Sequence, residues 1–354
     1  MYRSESEQNL WARNMSADNL RYYQRILEST PDLEQFSMNG ESFNEHAVDE
    51  EQILELVDAL RLYQGGRDST IKELRLESFT FSLLGWNKLS DALRQLFQLK
   101  KLFMRGIRVI TTNGDEDGND DDEGVRLVEG LSGLTQTCPH FEELHLVNCN
   151  LNSMACQALS QLKFSLRMPP PPPPLLVGLR VLSLEGNSIG NAGVKCIANA
   201  LRGNTSLVSL DLDRVGCSRS GITVLAEVLK ENDCLKSLSL VGNGSVEVPP
   251  PIPIDGDTNA SSGSNKDNDI TRQRTRDHCP ICDLLATNTC LRQVRLSAGP
   301  ASQHVDFLIR LNRWGRKYLG NADVMTRIFH LMLGSVSNDV DVIFYFLKSQ
   351  SGIL

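Results

Sequence analysis

The residues best equipped for chemistry lie at His278, Cys279, Pro280, Ile281 and Cys282, with Cys290 downstream. A Cys-x2-Cys spacing suits tetrahedral thiolate coordination of zinc, but such folds need further ligands and no second Cys pair follows. The helical register described below also assigns Ile281 and Leu285 to core positions, so structural thiols are the expected reading. A second candidate is Asp115, Asp117, Asn119 and Asp121, which begins like a calcium loop. It then departs from one, with Asp120 where a turn glycine is needed and Arg126 where a bidentate glutamate is needed. A solvated, self-repelling loop fits this run better. His140 and His145 flank Glu142 and Glu143, a spacing unlike that of a zinc protease helix. Six prolines, Pro169 to Pro174, predict a polyproline II segment. It would act as a stiff spacer or as a docking strip for a polyproline-binding partner. No phosphate-cradling glycine loop and no G-x-S-x-G elbow is present in the sequence. The expectation is a protein without catalytic residues, metal or cofactor.

Charge narrows the partners. The chain of 354 residues carries a net charge of −8, yet residues 113–124 alone hold seven acids and no base. Without that segment the balance is −1, so the acidity is local and no broad basic face for nucleic acid is expected. The apolar run from Val342 to Leu347 is too short to cross a bilayer, and the N-terminal residues lack an apolar targeting core. Nine cysteines, odd in number and irregular in spacing, suit reduced thiols in a reducing compartment. A cytoplasmic or nuclear protein that binds neither membrane nor nucleic acid is expected.

A repeat positions all of these residues. The pattern L-x-x-L-x-L begins at Ile71, Leu99, Phe141, Leu179, Leu207, Leu235 and Leu291, separated by 28, 42, 38, 28, 28 and 56 residues. Each excess over 28 coincides with an odd segment: the acidic run at 113–124, the proline run at 168–176, or the polar stretch at 244–276. One unit reads LRVLSLEGNSIGNAGVKCIANALRGNTS, from Leu179 to Ser206. Alternation around Leu182 and Leu184 predicts a short strand, and Gly193, Ile197 and Leu201 at i, i+4, i+8 predict a helix. The same triplet recurs as Gly221, Leu225, Leu229 and as Gly85, Leu89, Leu93, always in the same phase with the next strand. Leu33, Phe36 and Met38 match a degenerate additional strand.

From Leu179 to Asn243 the chain resembles the leucine-rich repeats of the ribonuclease-inhibitor-like class, and the resemblance extends over roughly residues 70 to 300. It implies an α/β solenoid, a horseshoe with a concave parallel sheet and helices on the convex side. The consensus Asn or Cys position is filled by Cys149, Asn187 and Asn243, and departs at Phe79, Ile107, Val215 and Gly299. Solenoid ends need covering. Residues 1–65 are expected to form a helical cap with a first degenerate repeat, 66–302 the solenoid, and 303–354 a C-terminal helical cap. The string Leu311 to Leu319, LNRWGRKYL, resembles a segment that follows the repeats in some such proteins.

In this architecture the strand residues between the buried leucines point into the horseshoe. The central column reads Arg75, Phe103, His145, Ser183, Asp211, Ser239, Arg295, and the next reads Glu77, Arg105, Val147, Glu185, Asp213, Val241, Ser297. Phe103, Arg105 and His145 make an aromatic and cationic cluster with the composition of an interface anchor. Glu185, Asp211 and Asp213 make an acidic patch suited to a basic segment, and Arg295 ends the column. A non-catalytic protein-interaction module is therefore expected. The alternative is a GTPase regulator, since the Ran GTPase-activating proteins use the same repeat class.

Overall fold

The computed structural model describes residues 33–40, 70–110, 123–131, 134–164, 179–244, 279–297 and 300–313. Eight strands make one parallel sheet: β1 (Gln35–Asn39), β2 (Glu73–Glu77), β4 (Lys101–Arg105), β6 (Glu143–Val147), β7 (Val181–Ser183), β8 (Ser209–Asp211), β9 (Ser237–Ser239) and β10 (Gln293–Arg295). They lie side by side in chain order. Two further strands, β3 (Thr80–Ser82) and β5 (Arg108–Ile110), pair in parallel with each other. Helices separate the strands: α1 (Leu83–Leu93), α2 (Glu123–Gly130), α3 (Leu134–Thr137), α4 (Ser153–Phe164), α5 (Gly190–Leu201), α6 (Arg219–Leu229), α7 (Pro280–Thr287) and α8 (Pro300–Arg313). The chain is thus a solenoid. The expected additional strand exists as β1, with Phe36 beside Leu74 and Met38 beside Leu76.

Register turns the sequence pattern into a core. Phe36, Leu74, Leu102, Leu144, Leu182, Leu210, Leu238 and Val294 are successive partners across the sheet, and the first seven are buried. The residues that open each repeat, Ile71, Leu99, Phe141, Leu179, Leu207, Leu235 and Leu291, form a second buried column. On the helices, Leu89 and Leu93, Ile197 and Leu201, and Leu225 and Leu229 close the core from the other side. At roughly 1.5–3 kcal/mol for each large apolar side chain removed from water, these columns dominate the stability.

Every coil must also satisfy the backbone groups exposed where strand and helix meet. Asn187 donates from Nδ2 to the carbonyls of Leu146 and Leu184, while its Oδ1 accepts from the N–H groups of Cys149 and Leu151. Asn243 repeats this between Leu212, Leu240, Val215 and Cys217. Cys149 fills the same slot with a thiol that donates to the carbonyls of Met104 and Val147. The departures Phe79, Ile107 and Val215 fill it by packing alone and are buried.

A second amide ladder runs along the opposite corner. Asn232 donates to the carbonyls of Leu201 and Asn204 and accepts from Cys234 and Leu235 N–H. Asn288 does the same with Leu229, Asn232, Cys290 and Leu291. Asn312 continues the donors, to Asn288 and Leu291. In an earlier coil the slot is held by Cys138, whose thiol donates to the carbonyl of Leu93.

The turns after six of the strands share one constrained position, and its occupant alternates. Ser78, Gly106, Asn148, Gly186, Arg214 and Gly242 occupy equivalent positions and all have positive φ. A Cβ on Gly186 would lie 1.8 Å from Asn148 Oδ1, and one on Gly242 would lie 2.6 Å from Arg214 Cγ. The side chain of one coil fills the space left by glycine in the next. Ser78 and Arg214 carry the strain of a left-handed backbone without being glycine, a conformation costing of order 1 kcal/mol or more.

The acidic run ends differently from the sequence expectation. Its last residues, Glu123 and Gly124, belong to α2 and are not part of a solvated loop. Glu123 is buried, pairs with Arg108 at 2.9 Å and accepts from Asn150 at 3.2 Å. Gly124 permits that approach, since a Cβ there would meet the Asn150 carbonyl oxygen at 2.8 Å. The rest of the run lies outside the described residues, as do the prolines, residues 245–278, residues 1–32 and 41–69 of the N-terminal region and everything after Arg313.

Replacing Asn288 with alanine leaves several buried backbone groups without partners. We expect a loss of about 2–4 kcal/mol in urea unfolding, larger than for Asn191→Ala at an exposed corner.

Candidate functional site: the concave face

The core claims alternate strand residues, so three rows remain on the concave side. The middle row is fixed by register: Arg75 beside Phe103, Phe103 beside His145, His145 beside Ser183, then Asp211, Ser239 and Arg295. Phe103 and His145 lie with ring centroids 5.6 Å apart, and the Arg75 guanidinium stands 5.4 Å from the centre of the Phe103 ring. Arg75 is held by Glu73 at 2.6 Å, and Glu143 lies between Lys101 at 3.2 Å and His145 at 3.8 Å. Arg105, two residues beyond Phe103 on the same face, is exposed. Three of the sequence-predicted residues are therefore brought together at the β4–β6 end.

Burial pushes the His145 pKa below its ordinary value, with Glu143 partly opposing the shift. The folded chain then binds fewer protons at this imidazole than the unfolded chain. Stability from neutral His145 is complete above the unfolded pKa of about 6.5 and is lost as pH falls below it.

The acidic patch is less uniform than the sequence suggested. Asp211 is half-buried; its Oδ2 accepts from the Ser183 hydroxyl at 3.1 Å and its Oδ1 from the Asp213 N–H at 3.0 Å. Glu185 is half-buried and ion-paired with Arg214. Asp213 differs from the expectation of a surface residue. It is 8% exposed, and its Oδ1 accepts from Ser239 Oγ at 2.5 Å and Val241 N–H at 2.7 Å. That carboxylate ties two coils together. Arg295 is exposed on β10, two strands from Asp211 and five from Phe103, or roughly 24 Å along the sheet from the latter at ordinary strand spacing.

The sequence reading overlooked the third row, Glu73, Lys101 and Glu143, whose charges alternate in register. The signal was the same alternation, carried one position earlier in each strand. It also left Arg75 out of the cluster, because cross-strand stacking depends on register as well as on residue type.

The remaining chemical candidates fall into the fold. Ile281 and Leu285 are fully buried as the helical register predicts, while Cys279, Cys282 and Cys290 are half-buried. Among the described residues no three His, Cys, Asp or Glu side chains converge as a metal site, and no helix is long and apolar enough to cross a membrane.

The His145 resonance in a pH series monitored by NMR should titrate with a midpoint below about 6.5. Asp213→Ala should cost about 1–3 kcal/mol in unfolding, whereas Glu185→Ala, at an exposed ion pair, should change stability by less than about 1 kcal/mol.

No family model matches the chain. Two curated relatives are similar to it: ribonuclease inhibitor from Sus scrofa, 27% identical over 49% of this chain and 33% of the relative, and ribonuclease inhibitor from Mus musculus, 28% identical over 50% and 37%. The chain thus spans about a third of the length of each relative. Among solved structures, leiomodin-1 actin-binding site 2 aligns with a TM-score of 0.35 and 17% identity, covering 55% of this chain and 91% of that one. The TLR13–ssRNA13 complex aligns with a TM-score of 0.33 and 14% identity, covering 61% and 27%. The register and the amide ladders make the chain a leucine-rich-repeat solenoid, and its sequence is similar to the ribonuclease inhibitors over about half of its length.

Proposed function

We propose that the chain is a non-catalytic binding module that receives a protein partner on its concave face. The observation that carries this reading is Phe103. It stands half-buried on the side of the sheet away from the core, between Arg75 and His145, where no packing within the solenoid requires an aromatic ring. Large aromatic and arginine side chains presented this way act as interface anchors. Arg105 extends the cluster with an exposed charge for a partner's carboxylate. Across the sheet, Glu185 and Asp211 offer carboxylates to a basic segment, while Asp213 supports them from within. Glu185 is shared with Arg214, so a partner's base would join an existing pair. Arg295 stands apart as a rim contact. The curated relatives named above carry an inhibitor's name, which supports binding over catalysis, and nothing on the concave face favours the GTPase-regulator alternative.

The test is binding by the full chain to a partner that co-purifies with it. Phe103→Ala should weaken binding about 30-fold or more, the loss expected for a central anchor of about 2 kcal/mol. The pair Glu185→Arg with Asp211→Arg should abolish it, and raised salt should slow association. Met154→Ala on the exposed side of α4 should change nothing. Unchanged affinity in the first two, with native stability, overturns the reading.

A further inference from the structure

The parallel sheet ends at β10, where the coil is finished less fully than those before it. From strand to strand, the N–H of Leu184 donates to the carbonyl of Asp211, that of Leu212 to Ser239 and that of Leu240 to Arg295. Leu296 is the next residue in this series, and no strand follows β10 among the described residues. Successive residues of a parallel strand turn their peptide groups to opposite neighbours, so the N–H and C=O of Val294 face the same open side as the Leu296 N–H. The carbonyl of Arg292 is provided for. The equivalent carbonyl of Lys236 accepts from the N–H groups of Arg292 and Gln293, and that of Arg292 accepts instead from Arg313 Nε at 2.7 Å.

Core and amide ladder stop at the same place. Leu210 and Leu238 are 1% and 0% exposed, whereas Val294, next in their column, is half-buried, as is Leu296 after Leu212 and Leu240. The Oδ1 atoms of Asn204, Asn232 and Asn288 accept from the N–H groups two and three residues ahead. That of Asn312 is buried and has no hydrogen-bond partner among the described residues. Charge selects what fits here. Arg292, Arg295 and Arg313 are exposed around this edge, and no ion pair joins them to a described acid. The β10 edge of a second copy would set arginine against arginine.

We propose that β10 takes an extended acidic segment of a partner protein as a ninth strand. The segment pairs its backbone with Val294 and Leu296. Alternate side chains fall on opposite faces, so its apolar residues continue the leucine columns beyond Val294 and Leu296. Its carboxylates stand beside Arg295 on the concave side and near Arg292 and Arg313 at the start of the strand. This contact is five strands from Phe103 and independent of that cluster.

The probe is a synthetic peptide of alternating aspartate and valine, blocked at both ends and added to the full chain. Amide hydrogen exchange at Val294 and Leu296 should slow roughly tenfold or more at saturation, while that at Leu240, already within the ladder, should not change. Arg292→Glu combined with Arg295→Glu should weaken binding roughly tenfold or more, and raised salt should weaken it as well. Phe103→Ala should bind the peptide as the wild type does. Lysine in place of aspartate, or N-methylated valines that lack the N–H, should abolish binding. No binding, binding that leaves the Val294 and Leu296 amides unchanged, or binding that survives the charge reversal overturns the proposal. So does full protection of both amides before peptide is added. If independent of protein concentration, that protection assigns the edge to the chain's own residues; if it rises with concentration, to a second copy.

Discussion

A carboxamide lying between two coils is the interaction on which this protein rests. Where the chain turns between strand and helix, it leaves carbonyls and N–H groups that no regular ladder can use, and their burial is costly unless they are paired. Asn187, Asn243, Asn232 and Asn288 each have two donors and an acceptor oxygen in one rigid plane, which suits a site bounded by two carbonyls of adjacent coils and two N–H groups. The leucine columns supply most of the energy, but apolar contact alone would tolerate sliding. The amides tolerate none. They convert a stack of greasy coils into one with a defined spacing and register.

The concave surface follows from that register. A core that takes alternate residues leaves the others lined up strand to strand, so whichever side chains fall there are neighbours whether or not they are far apart in the chain. Arg75, Phe103 and His145 are separated by 28 and 42 residues and still stack, because the 14 extra residues between the latter two leave the strand register unchanged. Side chains on this face differ in whether they have a task inside the solenoid. Asp213 has one, to Ser239 and Val241; Phe103 has none within the core.

Much of this was legible in the residues, for a physical reason: a solenoid repeats the same local problem, so periodicity in sequence is periodicity in space. The strands, the helix stripes and the middle concave row could be placed by counting. Counting was weaker where a residue's role depends on what stands across from it. Glu123 looked like one more acid in a charged loop, yet it is a buried partner of Arg108 and Asn150. Asp213 looked like part of a surface patch because alternation reports direction and says nothing of how crowded that direction is. The second amide ladder was visible as Asn204, Asn232 and Asn288, each three residues ahead of a leading leucine, but asparagine there also reads as an ordinary helix terminator.

The alternating turn column has a bearing on how such a chain can change. Asn148 leans into the space of Gly186, and Arg214 into that of Gly242, so neighbouring coils are not interchangeable: one gives a side chain and the next receives it. Excising a single unit would set Asn148 directly against Arg214, two bulky groups contending for one vacancy, whereas removing two in succession would restore the match. At that edge the natural module for duplication or loss is therefore the couple of coils, a larger stride than the leucine pattern alone suggests.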